Sequence, residues 1–172
     1  MNATMPGPGL RAVSAAAPSD PATILIAEDD DGHAALIRLH LQEAGVDNPI
    51  VRFVDGQELL DFLLRRGSGP HRQSGRSYLL LLDIRMPKVD GVEVLRRMKA
   101  DREVRKIPVI VLTTTDDPRV VDECYALGCS LFITKPVDAE ELFEAIRRIG
   151  LLSRIAAAPR IDGFDTQRPE KP

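Results

Sequence analysis

Residues 78–87 read Tyr78-Leu79-Leu80-Leu81-Leu82-Asp83-Ile84-Arg85-Met86-Pro87. Four leucines in succession end abruptly on a carboxylate and pass into a proline-containing loop. An unbroken apolar run of this length fits a strand covered on both faces, as in a parallel sheet. Asp83 then falls at the carboxyl edge of that sheet, where open α/β folds place their ligands. Alone, an aspartate after a strand has a second explanation, as a turn residue or a helix cap. The ends of the other strands shift that balance.

Working outward, Thr23-Ile24-Leu25-Ile26-Ala27 reads as a first strand running into Glu28-Asp29-Asp30-Asp31. Asp30 or Asp31 caps a helix whose stripe is Ala34, Ile37, Leu41 and Ala44, and Gly45 closes it. Ile50 to Val54 is a second strand, and Asp55-Gly56 opens a helix with Leu59, Leu60, Phe62 and Leu63 facing the core. From Arg66 to Ser77 the chain turns to Gly, Ser, Arg, His and Pro, a surface loop whose basic residues read as solvated. After Asp83, Asp90-Gly91 leads a helix through Val92, Val94, Leu95 and Met98. Pro108 to Leu112 is a fourth strand, ending on Thr113-Thr114-Thr115. Asp117-Pro118 is a cap with a first-turn proline, and that helix stops near Gly128. Ser130 to Thr134 is a fifth strand leading into Lys135-Pro136. Asp138 and Glu141 make a capping-box-like start for a last helix with Leu142, Phe143, Ile146 and Ile149 inward. Strand and helix alternate throughout, which implies a parallel sheet with right-handed crossovers.

The chain has 172 residues, 44% of them hydrophobic, and a net charge of -3, which suits one domain with loose ends. Residues 1–21 read as a disordered tail, 22–150 as the folded domain, and 151–172 as an extension, helical around Ile155 to Ala158 and then loose. No basic stripe with aromatic residues argues for nucleic acid, and no apolar run approaches the ~20 residues that span a bilayer. No cationic segment leads into an apolar one at the N-terminus, so no secretory signal is read there. Cys124 and Cys129 lack the second pair that a zinc site needs, and reduced, buried thiols point to a cytoplasmic location.

The strand ends carry Glu28 and Asp29, Asp83, Thr113 and Lys135. In a parallel sheet these ends share one edge, so the side chains converge in one crevice. Three carboxylates brought together repel unless protonated or neutralised, and oxygen ligands of this kind suit Mg²⁺. One carboxylate remains free to act as a nucleophile in phosphoryl transfer, giving an acyl phosphate. Lys135 can pair with a phosphoryl oxygen, and Thr113 can donate its hydroxyl to another.

The runs Ile24-Leu25-Ile26-Ala27-Glu28-Asp29-Asp30, Leu81-Leu82-Asp83-Ile84-Arg85-Met86-Pro87-Lys88-Val89-Asp90-Gly91, Pro108 to Thr113 and Lys135-Pro136 resemble the receiver domain of two-component response regulators, over about Thr23 to Ile149. The resemblance implies a flavodoxin-like (βα)5 sandwich with strand order 2-1-3-4-5. It implies Asp83 as phosphoacceptor, with Glu28, Asp29, Asp83 and the backbone carbonyl of Arg85 as Mg²⁺ ligands, Asp29 being the more direct of the acidic pair. Thr113 is the implied switch hydroxyl, Phe132 the aromatic switch position and Lys135 the family's lysine, with a cis peptide before Pro136. Arg85 and Thr115 stand where the family tunes the lifetime of the phosphoryl group.

The loop at 66–77, the run from Asp55 to Leu63 and Lys135-Pro136-Val137-Asp138 are similar to the receivers that partner bacterial phytochrome kinases. Residues 151–155 lack the aromatic character usual in that group. The resemblance implies a sensor histidine kinase as partner, an output face made by the fourth helix, fifth strand and fifth helix, and a homodimer through it. No effector domain is expected after the last helix, and no enzymatic activity beyond the protein's own phosphorylation and dephosphorylation. A phosphatase of the haloacid dehalogenase type is disfavoured, because that family needs an Asp two residues after its nucleophile, where Arg85 stands. A phosphorylation-independent interaction module of the same fold is the remaining alternative. His33 and His40, on one helix, read as surface or half-buried histidines before metal or phosphotransfer groups.

Overall fold

The computed structural model describes residues 21–149. The β-branched and leucine-rich segments β1 (Thr23–Ala27), β2 (Ile50–Phe53), β3 (Tyr78–Leu82), β4 (Val109–Thr113) and β5 (Leu131–Thr134) form one sheet. Every pairing is parallel, and the order is β2-β1-β3-β4-β5. Between them run α1 (Asp31–Glu43), α2 (Gly56–Leu64), α3 (Gly91–Ala100), α4 (Pro118–Ala126) and, last, α5 (Ala139–Arg148). The alternation implied a parallel sheet, and this is the flavodoxin-like sandwich with the strand order that the resemblance implied.

Apart from Thr23 and Thr113 at their ends, the central strands β1, β3 and β4 are apolar, because each has a helical layer on both sides. Leu25, Leu80, Leu82, Val109 and Val111 face α2, α3 and α4, against Leu60, Leu63, Leu95, Met98 and Cys124. Ile24, Ile26, Leu79, Leu81, Ile110 and Leu112 face α1 and α5, against Ile37, Leu41, Leu142 and Ile146. Successive residues thus alternate between two cores.

All five helices start on an aspartate. The carboxylates of Asp30, Asp55, Asp90 and Asp138 accept from the amides of His33, Glu58, Glu93 and Glu141, and that of Asp117 from Arg119. Each satisfies a backbone donor left over in the first turn. Gly45 takes φ +73° after α1, the left-handed position that a helix C-terminal glycine serves.

Several boundaries differ from those read off the sequence. β2 stops at Phe53, since Val54 turns outward and is 44% exposed. β4 and β5 each start one residue later than expected. In α5 Phe143 is only half-buried, and Ala145 takes the inward position beside Leu142 and Ile146. The 66–77 loop is pinned rather than merely solvated. Arg72 donates through Nε to the Leu63 carbonyl at 2.7 Å and pairs with Glu103 at 2.8 Å. The tail up to residue 20 and the extension from 151, including the helical continuation expected at Ile155 to Ala158, lie outside the described residues.

Cys124 and Cys129 are free and buried, and burial raises the Cys124 thiol to about 11. No helix among the described residues is long and apolar enough to cross a membrane.

Asp55 shows how a cap is also a brace. Its buried carboxylate caps α2 and receives the Lys88 ammonium at 2.5 Å. Burial alone would raise its pKa, but the Lys88 hydrogen bond and the Glu58 amide outweigh it, and the pKa is lowered from the ordinary 3.8. A depressed folded-state pKa contributes stability above the unfolded value, lost as pH falls through the folded one. Asp55→Ala is expected to cost about 1–2 kcal/mol in urea unfolding at neutral pH. That deficit shrinks as the pH drops below 3.8.

Candidate functional site

Sheet register brings the polar strand ends together. Ala27 pairs with Leu82, and Thr113 with Thr134, so Glu28, Asp83 and Lys135 each follow a strand end on the same edge. The ladder continues one step further. The amides of Glu28, Asp83 and Lys135 donate to Phe53, Ala27 and Thr113 at 3.1, 2.9 and 2.8 Å. Backbone hydrogen bonds therefore hold the base of each side chain.

At the centre, the Lys135 ammonium donates to Glu28 Oε2 at 2.5 Å and to Asp83 Oδ2 at 2.9 Å. All three side chains are nearly shut off from solvent, at 7%, 1% and 8% exposure. Burial alone would lower the lysine pKa, but the hydrogen bonds it donates to Glu28 and Asp83 prevail and it is raised. Asp83 Oδ1 accepts from the Arg85 amide at 3.2 Å. Asp29 stands at the exposed rim, with a carboxylate oxygen within 4.8 Å of oxygens from Glu28 and Asp83. Thr113 is fully buried, and its Oγ1 accepts from the Thr115 amide at 3.3 Å. Phe132 is half-buried and packs against the core under α2, α3 and α4. The Lys135-Pro136 peptide is cis.

The loop after Asp83 is held by close backbone approaches. A Cβ on Gly91 would lie 2.2 Å from the Asp83 carbonyl oxygen, and one on Gly56 would lie 2.0 Å from that of Val89. Only glycine permits either contact. Lys88 adopts φ +63° and reaches Asp55, tying the same loop to the start of α2.

Three neighbouring residues escaped the sequence reading. Arg52, on β2, donates to the carbonyls of Glu28 and Asp29 at 3.0 and 3.1 Å and to the Asp31 carboxylate at 2.6 Å. Nothing in sequence marks an arginine in a strand as the partner of a loop 21 residues away. Asp55 was read only as the start of a helix and Lys88 only as part of the run after Asp83, and their pairing was not foreseen. His33 was weighed and set aside, yet its Nδ1 lies 3.4 Å from both Glu28 Oε1 and the Lys135 ammonium. Beyond it a groove of about 310 Å³, lined by His33, Leu36, His40 and Pro136, opens beside the acidic cluster.

Three carboxylates against one ammonium leave a local charge of about two negatives when all are ionised, an excess that a divalent cation can neutralise. The oxygen-only donor set suits a hard ion such as Mg²⁺ or Mn²⁺. Glu28, Asp29 and Asp83 thus fit a divalent-cation site.

Comparison with known proteins agrees with this geometry. The model of the response regulator receiver domain matches residues 24–147. Among curated proteins, the chain is 36% identical to "Probable methanogenesis regulatory protein FilR2" of Methanothrix harundinacea, over 76% of this chain and 82% of that one. It is 33% identical to "Response regulator Rcp1" of Synechocystis, over 75% of this chain and 86% of that one. Among solved structures, the bacteriophytochrome response regulator AtBRR superposes with a TM-score of 0.67 at 36% identity, covering 77% of this chain and 94% of that one. The Mn²⁺-bound form of Rcp1 superposes with a TM-score of 0.61 at 31% identity, covering 75% and 91%. The phosphorylated cyanobacterial phytochrome response regulator RcpA does so at 0.64 and 30%, covering 78% and 94%. The chain belongs to the receiver-domain family of response regulators. Within that family it is similar to the regulators of phytochrome systems.

The buried ion cluster makes a sharp prediction. Lys135→Met removes the one ammonium and leaves Glu28 and Asp83 facing each other, at a cost of about 3 kcal/mol. The two carboxylates then repel each other with no ammonium between them, a repulsion that a divalent cation would relieve. Urea unfolding of wild type and variant, with and without Mg²⁺, measures the cost, and Mg²⁺ should restore part of it.

Proposed function

We propose that this protein accepts a phosphoryl group on Asp83 from a phosphohistidine of a partner sensor kinase, in a Mg²⁺-dependent reaction. The observation that carries the proposal is the Lys135 ammonium bridging Asp83 and Glu28, with Asp29 beside them at the rim. Glu28, Asp29, Asp83 and the Arg85 carbonyl would hold the cation. When bound, Mg²⁺ neutralises charge on the carboxylates and on the incoming phosphoryl oxygens.

The residues supply the rest. An oxygen of Asp83 attacks phosphorus, forming the O–P bond as the N–P bond to the donor imidazole breaks. Lys135, held charged by its two carboxylates, can swing one hydrogen bond from Asp83 to a phosphoryl oxygen. Thr113 can donate its hydroxyl to another, and its move frees the space into which Phe132 turns. Arg85 and Thr115 flank the reaction centre and set the lifetime of the acyl phosphate. No other substrate is turned over in this reading, and a cytoplasmic location goes with it.

Phosphorylation then acts as a ligand that binds two arrangements of one face unequally. That face is α4, β5 and α5, where Tyr125 is 48% exposed and edge strand β5 is only partly covered. Output through a homodimer at this face is part of the same reading. The similarity to AtBRR and RcpA supports a bacteriophytochrome as the kinase.

Incubation with a small-molecule phosphodonor and Mg²⁺ should label wild type and leave Asp83→Asn unlabelled. A labelled Asn variant would overturn the acceptor assignment. Light scattering with and without beryllium fluoride should find a dimer in at least one state, and Tyr125→Glu should return it to monomer. A wild type that stays monomeric in both states removes the homodimer.

A further inference from the structure

Taking Glu28, Asp29 and Asp83 as the cation ligands of that reading, we propose that Arg52 is the positioning residue that aims the acidic loop at the metal. Glu28 is fixed through its carboxylate, which is buried and bound by Lys135. Asp29 is different. Its side chain is exposed, and its carboxylate makes no hydrogen bond or ion pair among the described residues. Only its backbone is held, so the position of that backbone decides where the carboxylate can reach.

That backbone is where Arg52 acts. Nε and one terminal nitrogen reach two consecutive carbonyls, Glu28 at 3.0 Å and Asp29 at 3.1 Å. Two bonds from one rigid, planar group fix the orientation of both peptide planes. The other terminal nitrogen holds the Asp31 carboxylate at 2.6 Å, on the first residue of α1. Asp30, between them, caps α1 through the His33 amide. The loop is thus clamped at its strand end by Arg52 and at its helix end by Asp30. Arg52 itself stands on the edge strand, and its side chain is 20% exposed. Three of its five N–H donors, one on each nitrogen, are committed to the loop.

Charge and geometry act in opposite directions here, which makes the role testable. A nearby guanidinium repels a divalent cation, so electrostatics alone would have its removal tighten metal binding. A clamp that orders a ligand would have its removal loosen binding, by about tenfold at the low end of effects seen when partners of metal ligands are lost. Arg52→Lys keeps the charge but not the planar fork, and Arg52→Met keeps neither.

Mn²⁺ titration followed by electron paramagnetic resonance on the full chain decides between them. The clamp predicts that Kd rises about tenfold in both variants. Unchanged binding in the Lys variant, or tighter binding in the Met variant, overturns it. With a small phosphodonor, the half-saturating Mg²⁺ concentration should rise by the same factor, while the rate at saturating Mg²⁺ stays within about twofold of wild type. A residue needed only for folding would instead lower the melting temperature in EDTA and leave Kd unchanged. Loss of cooperative unfolding in both variants would make Arg52 a folding determinant and end the positioning role. Wild type decides the reading on which this rests. If it binds Mn²⁺ but takes no phosphoryl group, the phosphoacceptor reading fails while the titration still judges the clamp.

Discussion

One ammonium shared by two buried carboxylates organises the functional end of this molecule. Glu28 follows β1, Asp83 follows β3 and Lys135 follows β5, so the ion cluster spans the sheet from near one edge to the other. Burying three charges is costly, and mutual attraction offsets that cost only when the geometry is good. The arrangement is therefore better understood as a poised site than as a source of stability. With Asp29 added, the carboxylates outnumber the lysine, and the surplus negative charge is what a divalent cation would neutralise.

Poise of this kind requires that the loops carrying the charges be held before any ligand arrives. Each loop has its own device. The loop after β3 is locked by the near-contact of Gly91 with the Asp83 carbonyl and by the Lys88–Asp55 pair. The loop after β1 is held by Arg52 from one side and by the Asp30 cap from the other. At β5 the constraint is the ladder bond from the Lys135 amide to Thr113. Thr113 and Phe132 differ from these. One is a buried hydroxyl bonded only locally, and the other is half-covered on a partly exposed edge strand. The more constrained groups are thus the ions of the buried cluster, and the less constrained ones are Thr113 and Phe132.

Much of this was legible in the chain. Unbroken apolar runs such as Leu79–Leu82 mark strands buried on both faces, because only a parallel sheet between helical layers accommodates them. Polar residues at the ends of such runs must then gather at one edge. Boundaries were less legible: whether Val54 belongs to β2 depends on where α2 packs, and local propensity does not contain that. Phe143 fits the helical stripe by spacing, yet the flanking Ala145 allows closer approach to the sheet and takes the inward place.

Sequence by itself determined the class of fold, the order of the elements and the identity of the five groups at the strand ends, since all of these follow from local pattern and parallel connectivity. Only tertiary structure decided that Lys135 bonds to both Glu28 and Asp83, that Arg52 reaches across from the edge strand, and that Lys88 braces Asp55. Those contacts join residues 24 to 107 positions apart. Strand register and side-chain length set them together, and neither is written in any one segment of the chain.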